Sequence, residues 1–250
     1  MSEFIQTTVQ NGVQTIRFAR PDKKNALNIA MYEAMYQALE ESDRSPDMRV
    51  RLILGLPGIF TAGNDIADFI EAGQRGPAGL APVMKFLRAL IFSEKPIVAA
   101  ADGLAVGIGA TLLLHCDMTY ASPEAVFMAP FTDLGLVPEA GSSLVAPQRM
   151  GQARAFAFLV AGEPLTAEAA REAGLINAVV PREGLEAHAA TVAAKLAAKP
   201  REALALSRRL VRGDPALLWA RVEEEGRLFA ERLVSDEARQ AFQAFMQKRK

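Results

Sequence analysis

Charge is spread so unevenly along this chain that its centre has to be interior. Between Pro96 and Gly151 lie 56 residues with only six charges (Asp102, Asp117, Glu124, Asp133, Glu139 and Arg149) beside six glycines. Its most apolar part, Ile97 to Leu114, holds Asp102 and three glycines and runs into His115, Cys116 and Asp117, which excludes a membrane span and reads as a buried strand, a turn and a helix. From Arg201 to Lys250 the pattern reverses: 50 residues carry 19 charges, 11 basic and 8 acidic, with two glycines. That stretch reads as a helical tail in contact with solvent. With 250 residues, 50% of them apolar, the chain can bury roughly 70 to 75% of its unfolded surface, so the bulk of it is not disordered.

Local patterns fill in this frame. Apolar and polar residues alternate from Thr7 to Phe18 on both sides of Asn11-Gly12, a dipeptide that accepts the positive φ angles of a type I′ turn, and this predicts a hairpin. Asn28 can cap a helix whose apolar positions Met31, Met35, Ala38 and Leu39 recur at helical spacing, ending near Ser45-Pro46. Val50 to Leu54 and Ile97 to Ala101 read as strands too apolar to lie at an edge. Between them, Glu71 to Leu80 is rich in Gly and Pro and reads as a mobile loop, followed by a helix from about Pro82 to Phe92. Helices are expected over Arg182 to Ala198, Pro200 to Val211, Pro215 to Val234 and Asp236 to Lys248. The third carries an apolar stripe (Leu218, Val222, Phe229, Leu233) and the fourth another (Phe242, Phe245, Met246), for packing on the chain's own core or in a subunit interface.

Composition removes several functions. The formal net charge of −1 argues against a basic nucleic-acid surface. One cysteine, Cys116, forbids an internal disulfide, and with only His115 and His188 the usual zinc sets are missing, so no metal is expected. The start Met1-Ser2-Glu3-Phe4-Ile5-Gln6 has no targeting pattern, and a reduced cytoplasmic compartment without a membrane is expected.

Three glycine-bearing loops could carry chemistry: Phe60 to Ile66, Asp102 to Ala110 and Leu134 to Ser143. The second does not follow the dinucleotide order of glycines, but a strand ending at Ala101, a turn and a helix from about Ile108 leave free backbone N–H groups where the helix dipole favours an oxyanion. Together with Arg20-Pro21-Asp22-Lys23-Lys24-Asn25-Ala26-Leu27, Lys95-Pro96-Ile97-Val98-Ala99-Ala100, Cys116-Asp117 and Ala173-Gly174-Leu175-Ile176-Asn177-Ala178-Val179-Val180-Pro181, these loops resemble the crotonase (enoyl-CoA hydratase/isomerase) superfamily over nearly the whole chain.

The resemblance implies an α/β fold: a spiral of ββα units over residues 1–195 holding an acyl-CoA site, then an all-helical oligomerisation region over residues 196–250 that builds a homotrimer or hexamer. Coenzyme A enters as part of the substrate, with no separate cofactor. The backbone donors that polarise the thioester carbonyl map onto Asn64 and Ile108. Contacts to adenine and pantetheine map onto Lys24, Ala26, Leu27, Ala62, Asn64 and Ile66; the bland alternative for Lys24 is a solvated loop lysine, and Asp65 either shapes its loop or touches ligand.

The carboxylates decide the reaction. The two glutamates of the family's hydratases map onto Thr111 and Phe131, neither of which can serve as a base near neutral pH. The position used by the peroxisomal-type Δ3,Δ2-enoyl-CoA isomerases falls on Glu139, whose neighbours Leu136, Val137, Pro138 and Ala140 are apolar enough to raise its pKa. This implies an isomerase acting through Glu139. Alternatively, Glu139 caps the helix that starts near Ser142-Ser143, Asp133 activates water in an enoyl-CoA hydratase, or the chain binds acyl-CoA without catalysis. Asp102 and Asp117 read as turn residues, Trp219 as packing, and adjacent His115 and Cys116 point too far apart to work as a pair. The acyl pocket is expected between Glu71–Phe92 and the helical tail.

Overall fold

The computed structural model describes residues 2–247, apart from the side chains of Pro77, Phe245 and Met246. Its first strands, β1 (Ile5–Gln10) and β2 (Val13–Phe18), form the expected antiparallel hairpin, with positive φ at Asn11 (50°) and Gly12 (77°). Only Ile5 of β1 is buried, so the alternation there marks an edge strand rather than a core face. Onto β2 the chain adds β3 (Val50–Leu54), β5 (Ile97–Ala101), β7 (Met118–Ala121) and β10 (Ala178–Val179), all parallel, in the order β1-β2-β3-β5-β7-β10.

After each of β3, β5 and β7 the chain turns into a strand of a second sheet. These strands are β4 (Ile59–Thr61), β6 (Leu104–Val106) and β8 (Val126–Met128), parallel to one another and closed by the antiparallel β9 (Leu165–Thr166). Each turn of the chain thus extends both sheets by one strand, which is the spiral of ββα units. Parallel pairing needs long crossovers, and helices supply them. They are α1 (Ile29–Arg44), α2 (Ile66–Gln74), α3 (Pro77–Phe92), the single turn α4 (Ile108–Thr111), α5 (Ser142–Met150), α6 (Gln152–Leu159) and α7 (Ala167–Glu172).

α1 starts where Asn28 Oδ1 accepts the Met31 N–H at 2.9 Å, and it buries Met31, Met35, Ala38 and Leu39. The expected loop from Glu71 to Leu80 is instead the end of α2 and the start of α3. Its glycines serve packing: a Cβ on Gly79 would lie 1.9 Å from the Ala72 carbonyl oxygen, so the two helices meet backbone to backbone. The prolines fit a helix too, with Pro77 in its first turn, where no N–H is needed, and Pro82 inside it.

Four helices close the chain: α8 (Arg182–Ala197), α9 (Arg201–Arg212), α10 (Pro215–Leu233) and α11 (Asp236–Gln247). Lys248, the expected end of the last, and the side chains of Phe245 and Met246 lie outside the described residues. Both faces of the six-stranded sheet are covered, as its all-buried strands β3 and β5 require. Leu185, Ala189 and Ala193 of α8 pack with Leu52, Leu54 and Val98 on one face, so the boundary at residues 195/196 falls inside a helix that packs on the spiral. Val222, Phe229 and Leu233 of α10 and Phe242 of α11 join the main core on the other side. Trp219 stacks edge-on against Phe92 of α3, with ring centroids 6.3 Å apart. No helix among the described residues is long and apolar enough to cross a membrane.

Candidate active site

Two loops from the first turns of the spiral are stitched together. The Ala62 N–H donates to Lys24 O at 2.9 Å, Leu27 N–H to Gly63 O at 2.8 Å, and Asp65 N–H to Leu27 O at 2.8 Å. Lys24, Ala26, Ala62, Asn64, Asp65 and Ile66 are therefore brought side by side, with Leu27 buried beneath them. Leu27 departs from the expected ligand contact, since it is fully buried with its N–H and carbonyl both engaged across the loops, whereas Lys24 is exposed in a left-handed conformation (φ 50°). Asp65 accepts a hydrogen bond from Arg20 at 2.9 Å, so its carboxylate holds the loops together. A role missed from the sequence belongs to Asn25, which is fully buried: its Nδ2 donates to the carbonyls of Ile59 and Phe60, both at 3.1 Å, and its Oδ1 accepts from Arg20 N–H. A small polar residue just before half-buried Ala26 and buried Leu27 is the available signal.

Within the second loop the Gly63 and Asp65 N–H groups are engaged, the former by Thr61 Oγ1 at 3.1 Å. The Asn64 N–H has no hydrogen-bond partner among the described residues. Gly63 brings it to the next turn of the spiral, because any Cβ there would stand 2.8 Å from Val106 O. Gly107, at φ 54° and ψ −120°, then reverses the chain into α4. Ile108 opens α4, so its N–H is one of those a helix leaves unpaired. The two expected oxyanion donors thus sit on adjoining loops. α4 also supplies Thr111, one helical turn on, whose hydroxyl donates to Glu139 Oε1 at 2.5 Å.

Glu139 comes from the long connection between β8 and α5. Burial pushes its carboxyl up to about 8; the Thr111 hydrogen bond opposes this and the nearby charge of Glu225 adds to it. Glu139 does not cap α5. Glu225 of α10 does so, accepting the Gly141 N–H at 2.5 Å and the Ser143 N–H at 2.9 Å. The residue after Glu139, Ala140, is held at φ 59°, and its carbonyl accepts the Nε2–H of His115 at 2.7 Å. Burial lowers the pKa of His115 to about 3, which makes this ring neutral and structural, and raises that of Cys116 to about 12, which makes its thiol inert.

Glu139 and Asn64 look into one cavity of about 470 Å3 between α3 and α10, lined otherwise mostly by apolar residues such as Phe69, Val83, Leu87 and Phe229. Tyr32 of α1 fixes the Asn64 side chain: its hydroxyl donates to Asn64 Oδ1 at 2.5 Å, and burial first, then the charge of Glu139, raises its pKa well above the ordinary value. It sits on the apolar stripe of α1 and reads as core from the sequence; a buried phenol's need for a partner is the only hint. Asp133 is exposed and is not part of this cavity. Asp102 accepts the Gly58 N–H at 2.6 Å and Asp117 the Ile97 N–H at 2.8 Å, both as backbone anchors. Phe131 is buried in the main core. Among the described residues no group of three or more His, Cys, Asp or Glu could hold a metal ion.

This geometry has relatives. A rat protein named Enoyl-CoA delta isomerase 2 is 34% identical over 98% of this chain, which spans 64% of that protein's length. The 2,3-dehydroadipyl-CoA hydratase of Escherichia coli is 30% identical over 100% of this chain and 97% of its own. The crystal structure of an enoyl-CoA hydratase/isomerase from Pseudoalteromonas atlantica superposes with a TM-score of 0.93 at 40% identity, covering 98% of both chains. The family model described as Enoyl-CoA hydratase/isomerase matches residues 8–250, a span that takes in the stitched loops, α4, Glu139 and the closing helices, and the chain belongs to that family.

Proposed function

We propose that the protein is an acyl-CoA enzyme that moves a double bond from C3 to C2 of an enoyl-CoA, with Glu139 carrying the proton. The observation that supports this is Glu139, among the described residues the one carboxyl group of the mostly apolar cavity that is not exposed, Glu223 and Glu231 being so, with Thr111 and Phe131 at the positions to which the resemblance assigns the hydratases' glutamates. Ionised Glu139 removes a proton from C2, next to the thioester, and the C–H electrons delocalise into a dienolate. The thioester oxygen takes up negative charge facing the N–H groups of Asn64 and Ile108, each contributing about 10²- to 10³-fold in rate. Glu139, now protonated, returns the proton at C4, and the double bond ends between C2 and C3. Thr111 holds Oε1, leaving Oε2 to carry the proton between the two carbons. Coenzyme A arrives with the substrate, bound along Lys24, Ala26, Ala62, Asn64, Asp65 and Ile66, and no further cofactor takes part.

The test is conversion of 3-enoyl-CoA to 2-enoyl-CoA by the wild type and Glu139→Gln. The variant is expected to lose about 10²- to 10⁴-fold in kcat/KM. Equal rates would remove Glu139 from the mechanism, and hydration of crotonyl-CoA faster than isomerisation would make the protein a hydratase. Turnover of neither substrate, with tight binding of both, would leave a binding protein; burying a carboxyl group in the acyl cavity argues against that, since it adds desolvation cost without aiding acyl binding. The same reading makes the protein a cytoplasmic homotrimer or hexamer assembled through the helices of residues 196–250. What supports assembly is α9, none of whose residues is buried and whose Leu210 and Val211 are 83% and 88% exposed.

A further inference from the structure

Tyr32 carries a hydroxyl that its packing does not ask for. It lies fully buried on the inner face of α1 with Met31 and Met35, and its ring meets Phe86 of α3 edge-on with centroids 5.6 Å apart, contacts that a phenylalanine would make equally well. Burying a phenol is unfavourable unless its O–H finds an acceptor. Among the described residues that acceptor is Asn64 Oδ1, at 2.5 Å. The backbone does not need this bond. Leu27 N–H already holds Gly63 O at 2.8 Å, and because C=O and N–H point opposite ways across a trans peptide, that bond alone aims the Asn64 N–H. The Tyr32 bond therefore acts on the side chain.

An asparagine amide has an acceptor end, Oδ1, and a donor end, Nδ2. Were the amide turned over, Tyr32 would accept from Nδ2 and its own buried proton would be left without an acceptor, so Oδ1 stays on the phenol. Nδ2 makes no hydrogen bond among the described residues, and Glu139, in the same cavity, is held by Thr111 rather than by Asn64. The charge of Glu139 is felt at the Tyr32 hydroxyl, which puts the phenol, the amide bonded to it and the reacting carboxyl within electrostatic reach of one another. Resting on the acyl-CoA reading above, we propose that Tyr32 is a positioning residue: by holding Oδ1 it turns the Nδ2 end of the Asn64 amide toward the cavity, so that the side chain as well as the backbone N–H of Asn64 meets the dienolate charge with positive polarity. Held the other way, Oδ1 would set negative polarity beside that charge, in an apolar cavity where little water screens it.

The experiment measures kcat and KM for 3-enoyl-CoA isomerisation and for 2-enoyl-CoA hydration, both of which develop enolate charge on the thioester. Tyr32→Phe is expected to lower kcat by about ten-fold with KM within about two-fold, as for an interaction made in the transition state. The midpoint of its pH profile is expected to stay near 8, because Tyr32 is not among the groups that shift the Glu139 carboxyl. Asn64→Ala keeps the backbone N–H and is expected to lose as much, and the double variant no more than either, since each removes the same effect. Asn64→Asp still accepts from Tyr32 but has an oxygen in place of Nδ2, and is expected to fall about ten-fold below Asn64→Ala. Should Tyr32→Phe not fold, the two Asn64 variants carry the test. Tyr36→Phe, one turn along α1 and outside the cavity lining, is expected to change nothing. If the isomerase reading fails, wild type does not isomerise while the Tyr32→Phe loss persists in hydration; if the positioning role fails, wild type turns over and Tyr32→Phe matches it. Additive losses, wild-type kcat in Asn64→Ala, or equal rates in Asn64→Asp and Asn64→Ala overturn the proposal, and a wild type that turns over neither ester overturns both readings.

Discussion

Glu139 is tuned by its surroundings, and two measurements follow from the direction of that tuning. With its carboxyl pushed up to about 8 by burial, about a tenth of it is ionised at neutral pH. The proton-abstracting form accumulates as pH rises, so kcat/KM for a 3-enoyl-CoA is expected to climb close to ten-fold per pH unit up to about 8 and then level; a flat profile between pH 6 and 9 would contradict a catalytic Glu139. Stability moves the other way. Between about 4.5, the ordinary value, and about 8 the folded protein keeps a proton that the unfolded chain has released, so stability falls as pH rises across that window. Glu139→Gln removes this penalty, and its stability advantage over wild type, followed by thermal unfolding, is expected to grow from pH 5 to pH 8.5, reaching a few kcal/mol. A constant advantage would mean that the carboxyl is not desolvated. The apolar run Leu136 to Ala140 made the raised pKa legible in the sequence. What was not legible is which glutamate caps α5, because Glu225 lies 84 residues from the Gly141 N–H it accepts and nothing local points to it.

That clamp ties an element to the chemistry. α10 buries Val222, Phe229 and Leu233 in the main core and, through Glu225, grips the backbone on which Glu139 and Ala140 sit. Glu225→Ala is expected to destabilise by about 2–4 kcal/mol, because a buried N–H and a half-buried one lose their acceptor, and to lower kcat more than it changes KM. Glu225→Gln keeps one acceptor oxygen and is expected to fall between the two; thermal unfolding beside steady-state kinetics checks both, and an Ala variant with wild-type Tm would refute the clamp. Helices with a cap or a clean apolar period were legible: Asn28 marks the start of α1, and the four closing helices end within a residue of the sequence limits wherever the structure describes them. The stretch from Glu71 to Leu80 misled because glycine and proline punctuate loops locally. Here they permit contact between α2 and α3, a tertiary fact that no local pattern encodes.

Across the whole molecule, the apolar strands Val50–Leu54 and Ile97–Ala101 announced a covered sheet, but not that α8 would cover one face, nor that alternate strands would leave for a second sheet. α9 poses a further problem at this scale, since its polarity is inverted. Arg208 turns inward to Asp117 at 2.8 Å, while Leu206, Leu210 and Val211 face out, and Leu217 beyond it is 70% exposed. A helix anchored by its arginines and exposing its leucines has the wrong face in water unless another surface covers it. A second copy of the chain is the cover our functional reading requires, and assembly makes stability depend on concentration. Light scattering is therefore expected to give a multiple of the 26.9 kDa chain mass, and Tm to rise with protein concentration. Leu210→Lys with Val211→Lys, good helix formers whose charge suits the last turn of α9, is expected to yield a monomer whose Tm no longer depends on concentration. A wild type of 26.9 kDa at micromolar concentration would leave the outward leucines to some other partner and remove the helical tail from subunit assembly.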